Sequence, residues 1–328
     1  MKKLLTKILS FSCAATLAFP LAACGDGRTE TVNVYMPDGA PAVALSALMD
    51  SGYAGTKFEV VQPAVIGGLV ANGTADMAIM PVNAAATLYN RNIDIVMLSV
   101  NTHGNLYIIG KGGETDVEGL VGHSLGVIGA GNVPDLTVRM LFDELDIEYA
   151  SASTPGDKID GKVALTYADD ATGILPLLKS GKLDYALVGE PAATNSGVGI
   201  VMDMQEQWEL AFGDGYPQAC LVAKGSLIDN NRKYVDGFLD ALVKSDGWAA
   251  ANPEKALAAV NAHLADGVQG SLTALTAEIV ANCNIRTVPA EQMRESCETF
   301  FTKLTAVQTG LGTAALAKVP DLDFYYQP

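Results

Sequence analysis

Histidine and cysteine are scarce in this 328-residue chain, three and five respectively, and their scarcity removes whole classes of chemistry. The cysteines (Cys13, Cys24, Cys220, Cys283, Cys297) show no C-x-x-C spacing, so neither a zinc ribbon nor a thioredoxin-like redox pair is expected. The histidines (His103, His123, His263) form no His-Glu-x-x-His pattern, and no Gly-x-Ser-x-Gly elbow or Gly-Lys-Ser/Thr phosphate loop occurs. "GVIGAGNVPD" starts like a dinucleotide fingerprint, but Pro134 stands where the third glycine after Gly129 and Gly131 belongs, which breaks the close helix–strand packing that fingerprint needs. Neither a metal nor a cofactor is therefore expected. Basic residues are also few: 21 Lys and Arg stand against 37 Asp and Glu. Phosphate-rich partners need clustered cations, so nucleic acid and anionic lipid are both disfavoured. Beyond the N-terminus no apolar run reaches the ~18 residues that span a bilayer.

What is present begins with "MKKLLTKILSFSCAATLAFPLAAC": Lys2, Lys3 and Lys7, then an apolar stretch, then small residues. Residues 1–23 read as a secretory signal rather than a fold element. Its end, Leu21-Ala22-Ala23-Cys24, resembles the bacterial lipobox. That resemblance implies that Cys24 is lipidated and becomes the first residue of the mature chain. Ordinary cleavage with Cys24 left as a free thiol is the alternative. Residues 24–30 form a polar tether, so the membrane is touched only through the lipid at Cys24, and the body is extracytoplasmic. Without the three signal lysines the net charge is −19 (18 Lys and Arg against 37 Asp and Glu), read as a solvated surface with a bias against anionic ligands. Cys283 and Cys297 flank "NIRTVPAEQMRES"; a disulfide and two buried thiols are both open.

The body repeats one unit. "VNVYMPDGAPAVALSALM" is an apolar strand, a turn over Pro37–Pro41, and an Ala/Leu-rich helix with a proline in its first turn, where a missing N–H is harmless. Strand, turn and helix recur at "ADMAIMPVNAAAT", "HSLGVIGAGNVPDLTVRMLFDEL" and "KVALTYADDATGILPLLKSG", and "LDYALVGEP" and "YPQACLVAK" read as strands. Everything past "SLIDNNRKY" is expected to be helical. Turns at strand C-termini, at 37–41, 81–85, 129–135, 167–171 and 189–192, are where open α/β sheets bind ligands. The long segment 93–111, polar from Asn101 to Asn105, divides them into two groups, as two lobes with a crevice between them would require.

The ordered set "MPDGAP", "ANGTADMAIMPVNAAAT", "GVIGAGNVPDLTVRMLFDEL" and "DDATGILPLLKSGKLDYALVGEPAAT" behind a lipobox resembles the solute-binding lipoproteins of ABC importers with the type II periplasmic-binding fold. The similarity is to the branch that handles nitrate, sulfonates, taurine and thiamine-precursor pyrimidines. The resemblance implies an α/β fold with lobe 1 at 31–104 plus 219–328, lobe 2 at 105–218, a cleft between them, and a hinge of two strands near 101–107 and 216–222. It also implies a monomer that captures a small molecule and passes it to permease and ATPase subunits.

For the ligand, the turns offer Asp38, Gly39, Ala40, Asn83, Asn101, His103, Asn105, Gly131, Asn132, Asp135, Asp169, Asp170 and Glu190, with Tyr35, Tyr107, Tyr167 and Tyr216 as flat walls. They contain no lysine, and the nearest arginine is Arg139. Aromatic walls with amide and carboxylate acceptors suit a planar, polar, neutral or weakly basic ring: a thiamine-precursor pyrimidine, a nucleobase or a flavin. Asp135 and Asp169 also stand where helix N-caps belong. The alternatives are a sulfonate-, taurine- or nitrate-type anion on the same fold, and an enzyme on a bilobal scaffold.

Overall fold

The computed structural model describes residues 31–113, 115–213, 215–310 and 316–328. The secretory signal, the tether and Cys24 lie outside these residues. The chain runs through β1 (Val32–Pro37), α1 (Ala40–Ser51), β2 (Thr56–Val61), α2 (Ile66–Ala71), β3 (Met77–Pro81), α3 (Val82–Asn90) and β4 (Ile95–His103). It then builds β5 (Leu106–Gly110), β6 (Ser124–Ile128), α4 (Val133–Glu144), β7 (Tyr149–Ser151), β8 (Val163–Ala168), α5 (Ala171–Lys179), β9 (Tyr185–Gly189), α6 (Ala192–Asn195), β10 (Gly199–Asp203) and α7 (Met204–Phe212). The last part is β11 (Pro217–Lys224), α8 (Gly225–Lys244), α9 (Trp248–Ala251), α10 (Pro253–Ala262), α11 (Ala277–Asn282), β12 (Ile285–Pro289) and α12 (Ala290–Gly310).

Two six-stranded sheets result, ordered β12-β4-β11-β3-β1-β2 and β10-β5-β9-β6-β8-β7. In the first, β2, β1 and β3 are parallel, and β11 is antiparallel to both β3 and β4, so β4 runs with β3. In the second, β6 to β9 are parallel, and β5 runs against β9. Parallel strands covered by helices on both faces read as unbroken apolar runs, and "AIM" and "ALV" are buried accordingly; the antiparallel β5, "LYIIG", is buried along its whole length as well. One face of the first sheet packs with α1 and α8 to α11, around Leu45, Phe238 and Val260. Its other face joins a core that continues into the second lobe through Met80, Phe142, Leu187 and Phe301.

Two details depart from the sequence reading, and a third decides between the alternatives it left open for the cysteines. The segment past "SLIDNNRKY" is not all helical: 266–275 is a turn followed by irregular chain, and β12 is an edge strand whose Arg286, Thr287 and Pro289 hide its strand character. β10 lay in a stretch assigned no element, because an edge strand as short as Gly199–Asp203 carries little pattern. Cys220, Cys283 and Cys297 are free and buried; Cys283 and Cys297 belong to different core clusters and do not pair. Burial pushes the Cys297 thiol up to about 12.

The chain passes between the sheets twice. β4 ends at His103, and β5 starts at Leu106, with Gly104 and Asn105 between. The return follows α7 and is complete at Pro217, which pairs with His103. Gly104 donates its N–H to the Tyr216 carbonyl at 3.1 Å, and a Cβ there would meet the Tyr216 ring at 2.6 Å. The glycine is what allows the two passages to lie side by side.

Candidate functional site: the facing carboxyl ends of two sheets

Strand direction places the site. Leu106, the first residue of β5, pairs with Gly189, the last of β9, while His103, the last of β4, pairs with Pro217 at the start of β11. Both passages therefore join the carboxyl-terminal edge of one parallel set to that of the other. The loops after β1, β3, β6, β8 and β9 all open onto these edges, where doubly wound sheets hold ligands.

On the first sheet, Gly39 takes φ 108° and caps α1, with Pro41 in the first turn. Ala40 starts α1 and is buried. Asp38 turns its carboxylate onto the protein: Oδ1 accepts the Gly39 N–H at 2.9 Å and Oδ2 the Ser271 N–H at 2.5 Å. Asn83, in the first turn of α3, is 6% exposed, and its Oδ1 has no hydrogen-bond partner. Asn105, 4% exposed, receives the Glu190 N–H on its carbonyl at 3.0 Å and donates Nδ2 to the Glu190 carbonyl at 3.5 Å. That contact fixes its amide orientation, and its Oδ1 is left without a partner. Buried acceptors of this kind are rare and call for an explanation.

On the second sheet, the loop after β6 carries Gly129 and Gly131 at positive φ, with Asn132 as the N-cap of α4. The Gly131 N–H is donated to Asp135 Oδ2 at 2.9 Å. Asp135 Oδ1 accepts Arg139 Nε at 2.6 Å and the Tyr167 hydroxyl at 3.0 Å, and Arg139 also donates to that hydroxyl. Asp169 is exposed, and the N-cap of α5 is Asp170, which accepts Thr172 N–H and Gly173 N–H. The cap falls one residue later than the sequence reading placed it, and Asp135 sits at the third helical position rather than at the cap. Glu190 is 4% exposed; Oε2 accepts the Thr194 N–H at 3.1 Å and Oε1 the Thr194 hydroxyl at 2.5 Å.

The remaining sequence candidates are placed elsewhere along these edges. Tyr35 lies two residues inside β1, beside Glu59 on β2; burial first and Glu59 second push its phenol up. Asn101 is inside the sheet, bonded to Ser99 Oγ and Thr287 Oγ1. His103 sits at the strand end with Nε2 at 2.9 Å from the Arg286 carbonyl. Tyr216 is a wall of the hinge, buried against Trp208 and Phe300, its hydroxyl donated to Gln205 Oε1 at 3.0 Å.

Sequence reasoning missed the segment that closes this edge, because Gly267 and Gly270 lie in a region read as helix. After pairing with Val60 at Leu264, the chain crosses Asp38 at Ser271 and reaches the second lobe twice. Asn195 Nδ2 donates to the Ala274 carbonyl at 3.4 Å, and the Tyr107 hydroxyl to the Asn282 carbonyl at 3.0 Å. Among the described residues no cluster of three metal-ligating side chains is found, and no helix is long and apolar enough to cross a membrane.

No protein-family model matches the chain, and no curated protein matches it significantly. Solved structures do. An ABC transporter from Parabacteroides distasonis is 22% identical over 90% of this chain and 99% of its own, with a TM-score of 0.71. The periplasmic aliphatic sulphonate binding protein SsuA from Escherichia coli is 13% identical over 92% and 93%, with a TM-score of 0.65. The ligand-binding component of an ABC-type import system from Staphylococcus aureus, with zinc bound, is 15% identical over 91% and 97%, with a TM-score of 0.60. At such identities the likeness bears on architecture alone. Together with the two facing sheets, it gives this chain the two-lobed periplasmic-binding-protein fold.

Proposed function

We propose that the chain is the extracytoplasmic substrate-binding protein of an ABC importer, anchored through a lipid on Cys24, and that its ligand is a small planar heterocycle with N–H donors. The observation that carries this reading is the pair of buried amide oxygens without donors, Asn83 Oδ1 and Asn105 Oδ1, at the edge where both sheets point. A ligand N–H would satisfy each of them, and a strong anion would satisfy neither. Aminopyrimidines of the thiamine-precursor kind, nucleobases and flavin-like rings present such donors at a ring edge. The fold is shared with importer receptors, which supports delivery to a permease and ATPase by a monomeric, membrane-tethered body, with closure of the lobes as the capture step.

The test has two parts. Native mass spectrometry of the purified protein, followed by thermal scans against aminopyrimidines, nucleobases, flavins, taurine, alkanesulfonates and nitrate, should single out a heterocycle. At ~100 times its dissociation constant such a ligand adds about 2.7 kcal/mol of stability. Micromolar binding of taurine, an alkanesulfonate or nitrate would overturn the ligand class. In its native host, Cys24→Ala should move the protein from the membrane fraction to the soluble one; retention in washed membranes would refute the lipid anchor.

A further inference from the structure

We infer that Asp135 sets the charge class of ligand the second lobe accepts, because its carboxylate occupies from within the chain a site built for an anion. The inference rests on the reading of the facing edges as the ligand cleft. The donors converge on the carboxylate from four residues before it, from four residues after it, and from the neighbouring strand. The Gly131 N–H comes from the glycine turn after β6, at 2.9 Å; Arg139 Nε comes from one helical turn further along α4, at 2.6 Å; the Tyr167 hydroxyl comes from β8, at 3.0 Å. The first turn of the twelve-residue α4 adds the positive end of its dipole. A glycine-turn N–H, a helix N-terminus, a guanidinium and a phenol are the groups that recognise carboxylate, sulfonate or phosphate.

The cluster is enclosed. The Arg139 side chain is 11% exposed and the Asp135 side chain 4%. The guanidinium carbon lies 5.2 Å from the Tyr149 ring centroid and 5.7 Å from that of Tyr167. Burial, and then the Asp135 charge, push the Tyr167 phenol up, so it stays a donor. Every charge in the cluster is therefore answered inside the protein. A free anion arriving at the loop would have to displace a carboxylate that is covalently present, and it would meet that like charge on the way. A neutral ring with N–H donors meets neither obstacle. Arg139, one turn beyond the glycine loop, is thus removed from recognition by a residue four positions before it on the same helix.

Removing the carboxylate should convert the site. Asp135→Ala and Asp135→Ser in the full chain would be titrated with formate, acetate and methanesulfonate at constant ionic strength, with melting temperature and calorimetric heat as readouts. Formate should stabilise both variants saturably, with a midpoint at least about tenfold below any seen for the unsubstituted protein. Adding Arg139→Met should abolish that response. If Asp135→Ala folds poorly without an anion, the yield of folded protein on refolding against formate gives the same readout. Variants that respond to formate no better than the parent, in melting or in refolding yield, would overturn the inference, as would an equal response after Arg139→Met. The probes are added anions, so this result stands apart from the native ligand: a parent protein that bound an alkanesulfonate would refute the proposed ligand class, whatever the variants did.

Discussion

The two edges that face each other across the hinge treat their carboxylates and amides differently, although each lobe also keeps buried hydroxyls or amides without a partner, Thr137 and Thr166 on the second among them. On the second lobe, both buried carboxylates have each oxygen partnered: Asp135 by Gly131, Arg139 and Tyr167, and Glu190 by Thr194. On the first lobe and at the hinge, Asn83 and Asn105 each keep a buried amide oxygen without a donor. The contrast separates two uses of burial. Saturated groups stabilise the loop they sit in, and removing one strands its partners; unsaturated groups add nothing to the fold and are ready for an outside donor. On the proposed reading of the ligand, recognition of its N–H groups falls to the first lobe and the hinge, and rigidity of the ligand loop to the second lobe.

Asp135→Ala should break the comparison most visibly. It leaves the Arg139 guanidinium buried and unpaired, which costs about 3–5 kcal/mol where breaking a buried ion pair has been measured. Equilibrium unfolding in denaturant reads it directly. Asn83→Ala is the counterpart: it deletes an acceptor that no protein group uses, so no hydrogen bond to it is lost and stability should change by about 1 kcal/mol or less. The affinity for the heterocyclic ligand should instead fall about tenfold, the value of one lost hydrogen bond. If Asn83→Ala destabilised the protein as much as Asp135→Ala, the division of labour would be wrong.

The scaffold that carries these edges was legible in the sequence where strand, turn and helix stand in line. Pro37–Pro41, Pro81–Ala85, Gly129–Asp135 and the Glu190 turn are all found at carboxyl ends of strands. Their local signals, apolar runs followed by proline or glycine and then an alanine-rich or amphipathic helix, are encoded within about ten residues. What was not legible depends on partners far along the chain. Nothing near Asp38 in sequence announces that Ser271 will donate to it from 233 residues away. Nothing near Glu190 distinguishes a carboxylate aimed at a ligand from one that accepts both donors of Thr194. β12 escaped because it gains strand geometry from pairing with β4 rather than from its own residues.

The closing segment offers a smaller perturbation. Tyr107→Phe deletes the hydroxyl that the second lobe donates to the Asn282 carbonyl. Burial, then Asp203 and Glu190, push that phenol up, so it is a donor at any physiological pH. The variant should lose about 1 kcal/mol in denaturant unfolding. The loss should be accompanied by faster amide exchange in 272–284 and by a larger radius of gyration in small-angle scattering. An unchanged exchange pattern would show that the two lobes are held by packing alone.

The smallest effect comes from a carboxylate saturated in the same manner but at the open end of the second lobe. Asp184 precedes β9 at the edge away from the hinge, and its side chain is 31% exposed. Desolvation pushes its carboxyl up, but the Ser124 N–H, the Lys158 ammonium, the Ser124 hydroxyl and His123 outweigh that and bring it from 3.8 down to about 2. In the folded protein the group then binds a proton more weakly than in the unfolded chain. Its contribution is full above the unfolded value and declines as pH falls from about 4 towards about 2, where the folded carboxylate is itself protonated. Because water screens a group this open, the amount is held to ~1 kcal/mol or less. Asp184→Asn should flatten stability against pH in that window and leave it nearly unchanged at neutral pH relative to Asp135→Ala. A steeper acid dependence in the variant than in the parent would reverse the sign of the argument. A neutral-pH loss as large as that of Asp135→Ala would show that enclosure is not what separates the two carboxylates.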